Sequence, residues 1–189
     1  MKNLTPFLTS VISLRDAHGK GHSDHVMAFS IALGQKIKLS STEIDLLQFA
    51  AQIHDIGKIA INEVIVNKPG RFTEAEYLMI QHHSQLGASL IEKLELDPRI
   101  HLSILHHHEN FDGSGYPHKL AGDQIPFESR IIRITDTYDA LTSNRGYRPA
   151  YTHKKALSIM EQDQHCFDPD LLKVFFKMQT GKRNQTRRI

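Results

Sequence analysis

The chain has 189 residues, of which 40% are hydrophobic and 23% charged, and its formal net charge is +2. This balance is ordinary for one globular domain, and so small a net charge gives no support to a DNA partner. No apolar run approaches the roughly 20 residues needed to cross a bilayer, so no membrane partner is expected.

The cysteine content and the two termini bear on where the protein works. A single cysteine, Cys166, excludes an internal disulfide framework and a multi-cysteine zinc site. Residues 1–14 do not resemble a signal peptide. Residues 180–189 form a basic tail, which is typical of a solvated, disordered terminus. We therefore expect a single cytoplasmic domain over residues 1–189.

The predicted elements are helices, beginning near the N-terminus. Thr5-Pro6 is typical of a helix start, because proline is tolerated in the first turn. Ser40 and Glu43 have the spacing of a capping box. Residues that share one face indicate the second and third helices: His22, Val26, Phe29, Leu33 and Ile37 in one, and Ile44, Leu47, Ala51 and His54 in the other.

Further helices are predicted along the rest of the chain. Thr73 and Glu76 form a second capping box, and Asp97-Pro98 starts a helix that runs to about His108. The helix after Thr73 is expected to turn one stripe toward the core, namely Met79, His83, Leu86, Leu90 and Leu94. The last two helices are indicated by Ile131, Ile134, Tyr138 and Leu141, and by Leu172, Phe175 and Phe176 after Asp168-Pro169. Segments at about 59–72 and 109–126 are predicted to be irregular, and no period-2 pattern predicts a sheet. The fold class is therefore all-α.

Thirteen histidines are the unusual feature of the composition, and several stand where they could converge. His54 and Asp55 lie at the end of an apolar helix. His22 and His83 lie on predicted inner faces, and the run from His106 to Glu109 closes another helix. Asp136 and Asp139 sit on an otherwise apolar helix, where carboxylates need a partner because burying an unpaired charge is costly.

Imidazole and carboxylate ligands suit iron, manganese or zinc. Six or seven such ligands exceed the needs of one ion, whereas two ions that share a bridging carboxylate use them all. Such pairs clamp the attacking and leaving oxygens of a phosphoryl transfer and supply hydroxide at neutral pH. The residues therefore favour a metal-dependent phosphodiesterase.

These motifs, taken in order, resemble those of the HD-GYP family, a branch of the HD metal-dependent phosphohydrolases. The matching segments are Gly21-His22-Ser23, His54-Asp55-Ile56-Gly57-Lys58, Lys68-Pro69-Gly70, His83 with Gly87, His107-His108-Glu109, Asp112 to Pro117, and Asp136 to Ser143. The resemblance runs from about residue 11 to about 176. It implies an all-helical domain with a buried centre of two or three transition-metal ions, often iron or manganese.

The resemblance also implies residue roles. The implied metal ligands are His22, His54, Asp55, His83, His107, His108 and Asp136, with Asp55 bridging two ions. Lys58 is expected to face the scissile phosphate, and Arg145 and Arg148 to bind the substrate. His18 stands where relatives with a third ion carry a carboxylate, one helical turn before His22, which leaves the number of ions open. The Gly115-Tyr116-Pro117 loop is expected to border the site and to contact GGDEF-domain proteins, or else to be a structural turn.

The function implied is hydrolysis of cyclic di-GMP to pGpG, GMP or both, through attack by a metal-activated water. One alternative is a phosphodiesterase that acts on cyclic GMP-AMP or another nucleotide. The other is an inactive module that binds cyclic di-GMP or GGDEF-domain proteins, although every matched ligand other than the one at His18 is present.

Overall fold

The computed structural model describes residues 4–15, 21–144 and 149–181, and these form a helical domain without strands. The helices are α1 (Leu4–Arg15), α2 (His22–Lys36), α3 (Ser41–Ile53), α4 (Glu63–Val66), α5 (Glu74–Gln81), α6 (His83–Glu92), α7 (Pro98–His106), α8 (Phe127–Thr142), α9 (His153–Gln162) and α10 (Pro169–Gly181). A 3-10 helix, Ile56–Ala60, follows α3 after two intervening residues, His54 and Asp55. Within the described ranges, no helix combines the length and apolarity needed to cross a membrane.

The helix starts predicted at Ser40, Thr73, Asp97 and Asp168 are confirmed, whereas Thr5 lies inside α1, which begins at Leu4. Ser40 accepts from the Glu43 amide, Thr73 accepts from the Glu76 amide, and both capping boxes are complete. Asp97 accepts from the Arg99 amide and is followed by proline in the first turn of α7. These caps satisfy amide groups that the first turn of a helix would otherwise leave unpaired, so they set where each helix begins.

The core lies between α2, α3, α7 and α8, and it is built from fully buried aliphatic side chains. Leu33, Leu47, Ile53, Ile104 and Ile134 are all 0% exposed. Two helices were not predicted. The four-residue helix α4 lies inside a segment expected to be irregular, and α9 follows Thr152, whose hydroxyl accepts from the Lys155 amide.

The predicted inner stripe of the helix after Thr73 is wrong except at His83. The segment breaks at His82 into α5 and α6, and the large apolar side chains remain 38–53% exposed: Leu78, Met79, Leu86, Leu90 and Leu94. The buried face of α6 is made instead by His83, Ser84, Gly87, Ala88 and Ile91. Small residues lie there because the 3-10 helix packs closely on α6. A Cβ added at Gly57 would lie 1.9 Å from the His83 carbonyl oxygen and 2.5 Å from the Gly87 nitrogen.

Candidate metal centre and cleft

The seven predicted ligands come from five parts of the chain and meet at one place in the helical domain. They are His22 and His83, which begin α2 and α6, His54 and Asp55, which follow α3, His107 and His108, which follow α7, and Asp136 within α8. Six of the seven lie at or just beyond a helix end, where the side chain can turn toward neighbouring helices. All except His108 are at least 92% buried.

The seven side chains form two groups, and within each group the ligand atoms lie within 4.8 Å of one another. One group is Asp55, His83, His107 and His108, and the other is His22, His54 and Asp136. The groups adjoin, because the His22 and His54 Nε2 atoms lie 3.6 Å and 3.5 Å from Asp55 Oδ2. Asp55 Oδ1 faces the other way, 3.3 Å from His83 Nε2.

The hydrogen bonds of the imidazole rings fit a metal. His83 and His107 each donate from Nδ1 to a backbone carbonyl oxygen three residues earlier, at 2.6 Å and 2.7 Å. Each Nε2 therefore carries a lone pair, yet the two Nε2 atoms lie only 3.1 Å apart. Two lone pairs at that distance repel each other unless a cation lies between them.

His54 has the same arrangement. Its Nδ1 donates to the Ala51 carbonyl at 2.7 Å, and its buried Nε2 has no hydrogen-bond partner among the described residues. Buried polar atoms without partners are rare and costly in proteins. The side chains of this region thus have the tautomers, and the unsatisfied lone pairs, that imidazole ligands of a divalent ion require.

Protonation states agree with this arrangement. Burial lowers the pKa of His83 and, further, those of His107 and His108, which favours neutral rings. Burial alone would raise the pKa of Asp55, but the neighbouring groups, and first among them the positive charge of Lys58, hold it well below its usual range. Lys58 Nζ donates to Asp55 Oδ2 at 2.7 Å, so the lysine lies beside the carboxylate that faces both groups.

Asp139 binds the side of the His22 ring that points away from the ligand groups, and this contact was not predicted from the sequence. It accepts from His22 Nδ1 at 2.6 Å, which turns the Nε2 of that ring toward Asp136 at 3.2 Å. Burial opposes a charge on His22, but hydrogen bonds to Asp136 and Asp139 outweigh it and raise the His22 pKa to about 9. The sequence feature that could have revealed this role is the three-residue spacing between Asp136 and Asp139, which places both carboxylates on the same side of α8.

A cleft of about 1020 Å³ opens over the two groups. Its walls carry the cations Lys58, Lys119 and Arg133 and the aromatic rings of Tyr77, Tyr116 and Tyr151. Arg133 was also missed, although it lies one turn before Asp136 on α8. Its Nε donates to Asn110 Oδ1 at 2.8 Å and its Nη1 donates to the Thr137 hydroxyl, so its position in the wall is fixed.

The predicted Gly115-Tyr116-Pro117 loop borders this cleft. The Tyr116 ring stacks on the His108 ring, with centroids 4.8 Å apart and planes inclined by 29°. Gly115 permits this packing, since a Cβ there would lie 2.2 Å from the Asn110 nitrogen. Glu109 is 1% exposed and accepts from the His118 and Leu120 amides at 2.7 Å and 3.1 Å. These hydrogen bonds join the residues before the loop to those after it. The loop is thus both a structural turn and part of the cleft.

Three predicted site residues, His18, Arg145 and Arg148, lie outside the described residues, as does most of the basic tail. Their roles stay predictions from the sequence.

Comparison with known proteins gives a family and several relatives. The HD domain family matches residues 6–171. The chain is 34% identical over 161 residues to 3'3'-cGAMP-specific phosphodiesterase 3 of Vibrio cholerae, covering 85% of this chain and 35% of that protein. It is 35% identical over 173 residues to a cyclic di-GMP phosphodiesterase of Pseudomonas aeruginosa, covering 90% and 42%. The chain therefore spans less than half the length of these relatives.

Solved structures agree on the fold. A cyclic GMP-AMP specific phosphodiesterase of V. cholerae superposes with a TM-score of 0.73 at 21% identity, over 95% of this chain and 49% of that one. The HD domain of the phosphodiesterase PgpH of L. monocytogenes, solved with cyclic-di-AMP, gives a TM-score of 0.66 at 19% identity, over 96% and 97%. Since the family match extends over nearly the whole described core, the chain belongs to the HD domain family, and its motifs and relatives are consistent with the HD-GYP branch.

Proposed function

We propose that this domain is a metal-dependent phosphodiesterase that hydrolyses cyclic di-GMP. The observation that carries the proposal is the convergence of seven ligand side chains into two adjoining groups, with the two oxygens of Asp55 directed at different groups. His83, His107 and His108 would hold one ion, His22, His54 and Asp136 the other, and Asp55 would bridge them. A pair of ions so placed stabilises the charge on the attacking and leaving oxygens of a phosphoryl transfer.

The protein's own groups would bind and orient the substrate. Lys58 and Arg133 supply positive charge in the cleft, and a guanidinium held by Asn110 and Thr137 is suited to two-point binding of a phosphate. Tyr116, whose ring is fixed against His108, offers an aromatic surface for a nucleobase. Arg145 and Arg148 remain proposed as further contacts to the phosphates.

The size and charge of the cleft favour a dinucleotide. A volume of about 1020 Å³ lies at the upper end of the range for small-molecule sites, which suits a ligand with two bases. Three cations in its walls match a ligand with two phosphates. Relatives named cyclic di-GMP phosphodiesterases support the first candidate, and a relative named a 3'3'-cGAMP-specific phosphodiesterase supports cyclic GMP-AMP as a second.

Other parts of the proposal rest on sequence resemblance. Iron or manganese is proposed for both ions, and a third ion would depend on His18. GGDEF-domain partners remain proposed for the Gly115-Tyr116-Pro117 loop. Because Gly115 is buried and Tyr116 faces the cleft, such a partner would contact the exposed Ser114, His118 and Lys119. The cytoplasmic location also stays a prediction.

The test is a substrate comparison with protein purified without oxygen and reconstituted with iron or manganese. Cyclic di-GMP, 3'3'-cyclic GMP-AMP and cyclic di-AMP would be supplied at equal concentration and the products separated by chromatography. We expect cyclic di-GMP to be converted to pGpG or GMP, and Asp55→Ala to abolish the conversion. Preferential turnover of cyclic GMP-AMP would favour the second candidate, and tight binding of cyclic di-GMP without turnover would indicate a binding module.

A further inference from the structure

A second cluster of metal-binding side chains lies behind the loop, outside the seven ligands. It consists of His106, Glu109 and His118, whose ligand atoms lie within 4.8 Å of one another, and we refer to it as the His106 cluster. His106 ends α7, and Glu109 immediately follows the ligand pair His107 and His108. The chain thus directs consecutive histidines to two different places.

The buried members of the His106 cluster have unsatisfied groups. His106 is 6% exposed, and its Nδ1 is fully buried with no hydrogen-bond partner in the described part of the chain. It is aimed at Glu109, since Nδ1 lies 3.6 Å from Oε1.

Glu109 presents a buried carboxylate whose charge is only partly offset. Each of its oxygens accepts one backbone amide, from His118 and from Leu120. Among the residues that the structure describes, no lysine or arginine nitrogen forms an ion pair with it. A carboxylate oxygen can accept more than one partner, so each retains capacity for a cation. Hydrogen bonds from backbone amides also orient carboxylates that bind metals.

The spacing fits a tetrahedral ion. Two ligand atoms bound at about 2.0–2.1 Å in tetrahedral geometry lie about 3.3–3.4 Å apart, close to the His106–Glu109 separation of 3.6 Å. The His118 ring completes the set from the exposed side, with its centroid 5.2 Å from that of His106. Two imidazoles with one carboxylate and one open position form a common zinc ligand set.

We propose that His106, Glu109 and His118 bind a zinc-type divalent ion at a site separate from the proposed catalytic centre. Such an ion would join the end of α7 to residue 118, just beyond the loop that carries Tyr116. Because Tyr116 stacks on His108, an ion in the His106 cluster would restrain one wall of the cleft from outside it. The inference does not depend on the substrate or on the activity of the domain.

Zinc binding by the full chain tests the proposal, with Zn²⁺ titrated against a chromogenic chelator. The informative variant is His118→Ala, because His118 is the exposed member of the His106 cluster and lies outside the buried core. The control is His101→Ala, which removes a partly buried histidine of α7 that belongs to none of the metal-binding clusters found in the described part of the chain. We expect the wild type and His101→Ala to bind one more equivalent of tightly held Zn²⁺ than His118→Ala. Equal zinc content in all three proteins would overturn the proposal.

A second measurement locates the ion. Amide hydrogen exchange over residues 112–120 should slow when Zn²⁺ is added to the wild type and should slow less in His118→Ala. If the His106 cluster binds no metal, zinc would change the rate of amide hydrogen exchange over residues 112–120 equally in both proteins. That result would overturn the proposal. Because both results compare variants that keep all seven proposed catalytic ligands, absence of phosphodiesterase activity would not affect either conclusion.

Discussion

The His22 ring is held by Asp139, whose Oδ2 accepts from His22 Nδ1 at 2.6 Å. The other oxygen of Asp139 is engaged by His25 Nδ1 and by the Ser143 hydroxyl, both at 2.9 Å. These contacts fix the carboxylate, and the carboxylate fixes which nitrogen of His22 faces Asp136. Asp139 is thus a positioning residue that does not itself enter either ligand group.

We expect Asp139→Asn to weaken metal binding about 10- to 100-fold, the usual effect of removing a carboxylate behind a ligand histidine. Metal affinity of the purified variant, measured by chelator competition, is the readout. His25→Ala is the matched control, because His25 also binds Asp139 but has a side chain that is 59% exposed and belongs to neither ligand group. A loss of affinity as large in His25→Ala as in Asp139→Asn would contradict the assigned role.

Gly57 is expected to tolerate no side chain. The Cβ of Gly57→Ala would collide with backbone atoms of α6, at 1.9 Å from the His83 carbonyl oxygen. Backbone cannot move aside as a side chain can, so we predict a loss of about 3 kcal/mol or more in the free energy of unfolding. Gly181→Ala, where no atom of the described residues is found within 4 Å of the added carbon, should change the free energy of unfolding by less than about 1 kcal/mol. Denaturant unfolding of both variants measures this, and similar effects at the two positions would refute the close approach.

Arg133 is predicted to bind substrate. We expect Arg133→Gln to raise KM about 10-fold or more with a smaller change in kcat, since a charged contact of about 1.5–3 kcal/mol is removed from the ground and transition states alike. Steady-state kinetics at fixed metal loading gives both constants. Arg130→Gln provides a comparison on the same helix, because Arg130 binds Asp123 and Asp168 and does not line the cleft. A change confined to kcat in Arg133→Gln would count against a binding role.

The Lys68–Glu76 pair gives a pH dependence. Lys68 Nζ donates to Glu76 Oε2 at 2.6 Å, and this bond, with those from the Thr73 amide and hydroxyl, lowers the Glu76 pKa from 4.5 to about 2. A carboxyl whose folded pKa is depressed adds stability above the unfolded pKa and loses it as the pH falls toward the folded pKa. Glu76 should therefore stabilise the protein at pH 7, and progressively less from about pH 4.5 downward.

The measurement compares unfolding of the wild type and Glu76→Gln at pH 7 and at several values below pH 4.5. The variant should be the less stable at pH 7, and the difference should shrink as the pH falls. Glu74→Gln, in the same first turn and without an ion pair among the described residues, controls for loss of negative charge near the start of α5. A difference that does not change with pH would exclude the ion pair as its origin.

The seven side chains that cluster in the structure could be identified from the sequence because their motifs are short and continuous. His54 and Asp55 are adjacent, His107 and His108 are adjacent, and Asp136 follows the apolar Ile131, Ile132 and Ile134, so each could be recognised without knowledge of the packing. Helix starts were predictable for the same reason, since a capping box such as Thr73 with Glu76 is a local interaction.

What could not be predicted depends on which elements meet. Leu86 and Leu90 have the spacing of an inner stripe, but α6 buries Gly87 and Ala88 because the 3-10 helix must approach closely at Gly57. The roles of Arg133 and Asp139 depend on which way α8 faces. Helix α9 did leave a local signal that was overlooked, namely Thr152 as a cap with Ala156 and Met160 buried four residues apart.

The most direct test of the two-ion centre is a metal count on protein purified without oxygen and reconstituted with iron or manganese. The count is made in the His118→Ala background, so that an ion in the His106 cluster does not contribute. We predict at least two ions per chain, and fewer than two when Asp55→Ala is added, because the carboxylate that faces both ligand groups is then lost. At most one ion per chain before that change, or two ions that persist after it, would contradict the account.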